Sequence, residues 1–385
     1  MERNDVDYLQ CVRCVLDNKD DPQIIFDSSG VCNHCLAYDL AEKQLVKSGE
    51  TAKSELAALV SKIRKSGEGR RYDCILGVSG GVDSSYLALI AKDLGLRVLA
   101  VHFDNGWNSE LAVKNIETML AKLGIDLFTF VVDWSEFRDL QLALLKASVV
   151  DIELATDHAM LATLYQAALD QKVKYILSGH NVVSEQVLPK HWYFDKRDHI
   201  HIRAINQRFG TVPLKTYPLL NSWLKFSVVW SQIRSVTLLN YLDYNKKAVK
   251  KTLIDRLGWR DYGGKHYESV FTRFYQGYIL PTKFGIDKRR AHLSNLICSR
   301  QLTREEALKE LENPPYPPEM FEVDYEFVLK KLNLSAHEFD RLMHAPIIRH
   351  EEYPIDSSIY DRFLILKLIS PIWRLIRGLR EKLVR

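Results

Sequence analysis

The sequence predicts an α/β fold built on a doubly wound parallel sheet, and two observations carry that prediction. From residue 72 onward, short β-prone runs (72–78, 97–103, 127–132, 175–177) alternate with longer helical runs (84–94, 110–123, 137–147, 154–171). Alternation of this kind marks parallel strands joined by helices that cover both faces of the sheet. The second observation is where the polar residues fall. The loops after Val78, Phe103 and Leu177 are the richest in Gly, Ser, Asp, Asn and His. In such sheets ligands bind beyond the carboxyl ends of the strands, so these three loops belong to one rim.

The rest of the chain is read in order. A cysteine-rich segment, 11–35, comes first. A helical stretch over about 40–65 follows, with Leu56, Leu59, Val60 and Ile63 at helical spacing and Gly67-Glu68-Gly69 ending it. After Pro218 the alternation fades. Residues 224–260 and 300–345 read as helical, broken by Asn313-Pro314-Pro315-Tyr316-Pro317-Pro318. The expected organisation is a metal-binding segment 1–45, an α/β domain 46–222, and a helical region 223–385 that completes the active site.

Bulk properties narrow the function. A chain of 385 residues with 46% hydrophobic and 26% charged residues is an ordinary globular protein of two or three units. It has no apolar run of membrane-spanning length, and Met1-Glu2-Arg3-Asn4-Asp5 does not resemble a signal peptide. A cytoplasmic protein is expected, in which clustered cysteines bind metal rather than form disulfides. The net charge of +4 misleads: the stretch 360–385 holds seven Lys/Arg against two Asp/Glu, which leaves the remainder at −1. A body this neutral argues against nucleic acid as a partner. The stretch 360–385 is itself a basic amphipathic segment, with Ile365, Leu368, Ile369, Ile372, Leu375 and Ile376 near one helical face. It suits an anionic membrane surface; packing against protein is the favoured expectation.

The strongest motif is Ser79-Gly80-Gly81-Val82-Asp83-Ser84-Ser85, which follows a predicted strand and opens a predicted helix. Gly80 and Gly81 let backbone N–H groups turn toward an anion. Ser84 and Ser85 can cap the helix and donate hydroxyls to that anion, and the helix N-terminus adds partial positive charge. Asp83 beside phosphates makes sense as a ligand of Mg²⁺. The Gly-Lys-Ser/Thr ending of a Walker loop is missing. The motif resembles the pyrophosphate loop of the N-type ATP pyrophosphatases, the PP-loop superfamily. That resemblance implies attack of a substrate oxygen on the α-phosphate of ATP, with release of pyrophosphate. A Gly-Gly turn with a serine cap and no ligand is the competing reading; seven matching residues in the right strand–loop–helix context weigh against it. Two further rim segments fit: His102-Phe103-Asp104-Asn105, where the superfamily holds adenosine, and Ser178-Gly179-His180-Asn181, with Glu185 following. His102, Asp104, Gly179 and Asn181 are the nucleotide candidates there.

Cys11-x-x-Cys14 and Cys32-x-x-Cys35, 17 residues apart, have the spacing of two knuckles that close a tetrahedral Zn²⁺ site. Four protein ligands leave no open position, so the role is structural. Cys74 and Cys298 read as core residues.

A narrower resemblance rests on the whole set: the knuckles, the phosphate loop, His102-Phe103-Asp104-Asn105-Gly106-Trp107, Gly179-His180-Asn181 and a late segment. The late segment runs Gly263-Gly264-Lys265-His266-Tyr267-Glu268-Ser269, Phe271-Thr272-Arg273-Phe274-Tyr275-Gln276-Gly277-Tyr278 and Lys283-Phe284-Gly285-Ile286-Asp287-Lys288-Arg289-Arg290-Ala291-His292. This set is similar to the N-acetyl sugar amidotransferases of bacterial surface-polysaccharide and flagellin-glycan synthesis, over residues 8–320. The resemblance implies conversion of an acetamido group on a nucleotide-linked sugar to an acetamidino group: AMP is placed on the amide oxygen, ammonia adds to carbon, and AMP leaves. Lys265 and Lys283 are the candidates for phosphate contact. Arg273 is a weaker one, or a holder of the sugar's diphosphate or carboxylate. His158 is a candidate base for incoming ammonium, with a packed histidine as the competing reading. No cysteine has a nucleophile's setting, so ammonia is expected from another polypeptide. In the family this implies a glutaminase subunit with a barrel-like companion. Two other readings compete: a tRNA thiolation enzyme, which usually needs a further catalytic cysteine or an iron–sulfur cluster, and a non-enzymatic zinc-knuckle scaffold that senses ATP.

Overall fold

Strands that must each be followed by a covering helix cannot pair as hairpins, so they add to the sheet in parallel. In the computed structural model, which describes residues 8–264 and 267–356, the strands are β1 (Cys74–Gly77), β2 (Val98–Asp104), β3 (Asp126–Val131), β4 (Tyr175–Leu177) and β5 (Arg234–Val236). They lie in the order β3-β2-β1-β4-β5, all parallel. Cys74 stands opposite Val98, and Ile75 opposite Ile176. The chain steps outward from β1 to β3 and then returns to the other side of β1. The order therefore reverses between β1 and β4, and a crevice opens at their carboxyl ends.

The connecting helices are short-range products of the sequence. We label α1 (Asn33–Leu45), α2 (Gly49–Ser66), α3 (Val82–Asp93), α4 (Glu110–Leu123), α5 (Trp134–Ala147) and α6 (Leu154–Asp170). The Ser109 side chain caps α4 by accepting from the Ala112 N–H, and Gly124 in the left-handed region ends it. Asp133 caps α5 in the same way through the Glu136 N–H.

Two elements differ from expectation. The stretch 224–260 is not all helical: the helices Ser222–Trp230 and Lys246–Leu257 flank β5. β5 has three residues, with Arg234 and Ser235 exposed, and carries no apolar alternation. It exists because its backbone completes the edge of β4, with Tyr175 opposite Arg234. The expected helix over 40–65 is two helices, of which α1 begins directly after Cys32. The break falls at residues 46–48, and α2 begins at Gly49, whose φ of 62° is left-handed.

Beyond the sheet come Val270–Phe274, continuing as wide π-type turns over Tyr275–Phe284, then Arg289–Cys298, Arg304–Leu311, Pro318–Leu332 and Ala336–His344. Pro318 opens its helix, where the missing N–H costs nothing. One apolar core packs α3, α4 and Lys246–Leu257 on the sheet through Leu76, Leu87, Ile116 and Leu253. A larger one joins the cysteine segment to α5 and the late helices through Cys14, Phe137, Phe271 and Phe339. Lys265 and the tail 360–385 lie outside the described residues. Among the described residues no helix is long and apolar enough to cross a membrane.

Candidate active site

The phosphate loop is shaped by what its carbonyls bind. Gly80 has a φ of +81°, and a Cβ there would sit 2.9 Å from the Tyr262 hydroxyl and 3.0 Å from the Ala112 carbonyl, so only glycine fits. The Gly80 carbonyl accepts from Trp259 Nε1 at 2.9 Å, Tyr262 Oη at 2.8 Å and Ser85 Oγ at 3.3 Å. With that carbonyl turned inward, Ser79, Gly81, Asp83 and Ser84 face a cleft at the start of α3. The hydroxyls of Ser79 and Ser84 converge to 3.3 Å. The Tyr244 hydroxyl donates to the Asp83 carboxylate. Burial, with the Asp83 charge, pushes the Tyr244 phenol far above its ordinary range, so it remains a donor.

The cleft, of about 570 Å³, opens at the carboxyl ends of β1, β2 and β4. That volume suits a small-molecule site. His102 donates from Nδ1 to the Val78 carbonyl at 2.9 Å, and its Nε2 accepts from Asn108 Nδ2 at 3.1 Å. The ring thereby ties β2 to the start of the phosphate loop. Gly179 lies against the loop backbone, where a Cβ would be 3.4 Å from Ser84 N. His180 Nδ1 meets Glu185 at 2.9 Å, and both line the cleft, as their spacing predicts. The late segment is strapped over the rim: Ser109 N–H donates to the Glu268 carbonyl at 2.8 Å, and Glu268, Ser269 and Thr272 line the wall.

Charged groups cluster on the floor. Lys196 Nζ lies 2.5 Å from Asp151 and 2.9 Å from Asp157. The Thr272 hydroxyl donates to Glu153 at 2.8 Å. Burial, aided by the Asp157 charge, pushes the Glu153 carboxyl up to about 7. Burial lowers the ammonium pKa of Lys288, which also lines the floor.

The predicted residues divide. Ser79, Gly81, Asp83, Ser84, His102 and Gly179 line the cleft; Gly80 and Ser85 shape its loop from beneath. Asp104 turns to its own loop and accepts from the Gly106 N–H at 2.8 Å. Asn181 caps a short helix through the Ser184 N–H at 2.9 Å.

Three catalytic candidates have other work. His158 is buried, donates to the Lys196 carbonyl at 2.8 Å and accepts from the Leu220 N–H at 2.9 Å. With both nitrogens used and burial lowering its pKa to about 4, it is a packed histidine. Arg273 forms a two-pronged pair with Asp324 at 2.5 and 2.6 Å, away from the cleft lining. Lys283 donates to the carbonyls of Leu342 and Ala345 at the end of the Ala336–His344 helix. Lys246 and Lys250 line the cleft unforeseen, as do Glu153 and Lys196. The run Lys246-Lys247-Ala248-Val249-Lys250-Lys251 is visible as charge, but only the packing of its helix beside α3 aims two of those residues inward.

The four knuckle cysteines come together. All four Sγ atoms lie within 4.8 Å of one another, with Cys11 and Cys35 3.9 Å apart and Cys14 and Cys32 3.7 Å apart. A tetrahedron with Zn–S bonds of about 2.3 Å has edges of roughly 3.8 Å, so the donor set fits Zn²⁺. Cys11 Sγ also accepts the N–H groups of Arg13, Cys14 and Cys32 at 3.3–3.4 Å. The late helices grip this centre. Arg290 donates to the Val15 carbonyl at 2.7 Å and pairs with Asp17 and Asp20, and Arg304 donates to the Cys14 carbonyl at 3.1 Å. Cys74 is a buried strand residue, and Cys298 is buried 3.7 Å from Cys35.

Comparison with known proteins follows the same division. Residues 73–173, from β1 through α6, match the queuosine biosynthesis protein QueC. Residues 268–367 match the C-terminal domain described as LPS biosynthesis protein WbpG-like. One region of the chain is thus similar to a PP-loop protein and another to a WbpG-like C-terminal domain. An uncharacterised protein of Methanocaldococcus jannaschii is 24% identical over 323 residues, covering 82% of this chain and 97% of the relative. The tRNA(Ile)-lysidine synthase of Chlamydia pneumoniae is 36% identical over 76 residues, covering 19% of this chain and 23% of that enzyme. Among solved structures, NMN synthetase from Francisella tularensis aligns at a TM-score of 0.34 and 16% identity, over 75% of this chain and 98% of that one. An NH3-dependent NAD synthetase from Campylobacter jejuni aligns at 0.31 and 13% identity, over 78% and 99%. Scores this low do not bear on function.

Proposed function

We propose that this protein is an ATP-dependent amidotransferase that converts an N-acetyl group on a nucleotide-linked sugar to an acetamidino group. The carrying observation is that one cleft is built from both matched regions: the phosphate loop of the PP-loop domain, and Glu268, Ser269, Thr272 and Lys288 of the WbpG-like domain. The second region is where the sugar would lie.

An amide carbonyl is a poor electrophile with a poor leaving group, and adenylylation cures both defects. The acetamido oxygen attacks the α-phosphate of ATP. Pyrophosphate departs onto the N–H groups of Gly81 and Val82 and the hydroxyls of Ser79 and Ser84. Asp83, fixed by Tyr244, is the residue suited to hold Mg²⁺ on those phosphates. Ammonia then adds to the activated carbon, and AMP leaves. The protein contributes position and charge neutralisation. Zinc at the four thiolates would anchor the late helices and touch no substrate.

The ammonia would come from a separate glutaminase subunit with a barrel-like companion. All six cysteines are buried, four of them in the metal set, so no thiol of the chain is placed to attack glutamine. The test is mass spectrometry of UDP-N-acetyl sugars incubated with the full chain, ATP, Mg²⁺ and ammonium. One sugar is expected to exchange oxygen for NH with equimolar AMP and pyrophosphate. Glutamine as sole nitrogen source is expected to give no product. Failure of every sugar nucleotide to elicit pyrophosphate would overturn the reading.

A further inference from the structure

The floor of the cleft carries charges that adenylylation leaves unused. Asp151, Glu153 and Asp157 come from the start of α6 and the turn before it, Lys196 from a loop, and Lys288 from the residue before the Arg289–Cys298 helix. Lys196 bridges Asp151 and Asp157. Glu153 has no ion pair among the described residues, and its carboxylate accepts one hydrogen bond, from the neutral hydroxyl of Thr272 at 2.8 Å. Lys288 shares the floor, also without an ion pair among the described residues. Of the three carboxylates here, Glu153 is the one that neither lysine pairs with among the described residues.

The second substrate of the proposed reaction is a small cation. Near neutral pH ammonia is carried almost wholly as ammonium, which has no lone pair with which to attack carbon. A site for it must attract the cation and then accept its proton. We propose that this floor is the ammonium site and that Glu153 is the base that deprotonates the nucleophile. The assignment rests on the amidotransferase reading above.

The steps balance. Ammonium gives one proton to a Glu153 carboxylate oxygen, and the freed nitrogen lone pair forms the C–N bond to the imidate carbon. Glu153 releases that proton through the cleft mouth and takes a second from the C–NH₃⁺ adduct. The C–O bond then breaks, AMP leaves with its electron pair, and the sugar carries an amidinium. Asp151 and Asp157 stay paired with Lys196 beside it. Thr272 fixes the Glu153 carboxylate on one oxygen and leaves the other for the nitrogen. A carboxyl pushed up to about 7 by burial and the Asp157 charge exchanges protons near neutrality, as such a base must.

The test compares the full chain with Glu153→Gln, using ATP, Mg²⁺ and the reactive sugar nucleotide. Without a nitrogen source, single-turnover pyrophosphate release reports adenylylation alone. With ammonium chloride, amidine formation reports transfer. Glu153→Gln is expected to keep the pyrophosphate burst within about threefold while amidine formation falls by about 10²-fold or more. At fixed total ammonium the wild-type rate should rise with pH and level off above about 7, the titration of Glu153, whereas the variant, left to free ammonia, should keep rising without that plateau. Glu153→Asp should recover part of the rate. Amidine formation near the wild-type rate in Glu153→Gln, with the plateau above about 7 intact, overturns the assignment. Collapse of the burst alongside amidine formation also overturns it, because the residue would then serve the adenylylation site. Absence of any burst in the wild-type protein overturns the amidotransferase reading and this assignment with it.

Discussion

The phosphate loop at 79–85 and the late basic segment at 263–290 border the same cleft and are built on opposite principles. The loop offers backbone N–H groups, two hydroxyls and a helix N-terminus, all within seven residues. Distant residues support the loop from beneath: Trp259 and Tyr262 hold the Gly80 carbonyl, and Tyr244 holds Asp83. The late segment is rich in cations, yet most of its described ones are committed to protein. Arg273 pairs with Asp324, Lys283 holds two carbonyls, Arg289 pairs with Asp287, and Arg290 grips the cysteine knuckle. Lys288 alone of its described cations lines the cleft. A loop of this kind carries the donors suited to an anion within a few residues of backbone. A long charged side chain serves whichever partner the tertiary packing brings within reach.

Four experiments press on that contrast. The largest effect is expected from zinc removal, because the metal would hold the knuckle that Arg290 and Arg304 clasp. Metal analysis should find one Zn²⁺ per chain. Chelation, or Cys14→Ser, should remove folding energy on the order of 10 kcal/mol, and hydrogen exchange should rise first in the knuckle and in 289–304. Iron in place of zinc, or an unchanged melting curve, would contradict this.

Next come Asp83→Asn and Ser79→Ala. Pyrophosphate release should drop by about 10²–10³-fold, while thermal stability hardly changes because both residues sit on a loop at the cleft. Near-normal turnover in either variant would remove the loop from the chemistry.

Arg273→Ala should do the reverse. It strands the buried Asp324 carboxylate, so a loss of about 3 kcal/mol in stability is expected, measured by denaturant unfolding. The rate per folded molecule should change little, and adding Asp324→Asn should restore part of the stability. A variant that is stable but inactive would return Arg273 to the substrate.

The smallest effect belongs to Lys283, whose pKa burial lowers from 10.5 to about 8. The folded state then binds fewer protons than the unfolded state between those values, so this group makes stability rise as pH climbs from about 8 toward 10.5. Lys283→Met should remove that rise while leaving ATP chemistry intact. A lysine variant that lost pyrophosphate release at unchanged stability would restore the phosphate role.

Much of the fold and of the site is legible in the residues alone. The strand–helix alternation from residue 72, the phosphate loop and the paired Cys-x-x-Cys knuckles each concentrate their meaning within a few residues, and the fold places them as their spacing requires. β5 is not legible, because a three-residue edge strand is defined by the neighbour that completes its hydrogen bonds rather than by its side chains. Nor are the partners of the late cations, which lie 51 residues away for Arg273 and more than 260 for Arg290. The sequence by itself determined the parallel sheet, the glycine-serine loop that opens α3 at the cleft and the thiol set that fits zinc, since each rests on local geometry and short spacing. Only the tertiary structure decided that His158 is packed, that Lys283 and Arg273 are structural, and that Glu153 lies beside Lys196 and Lys288 on the floor of the same cleft. The physical reason is reach: a backbone site carries its own geometry, whereas a charge a few bonds out on a flexible side chain takes its meaning from whatever folding sets opposite it.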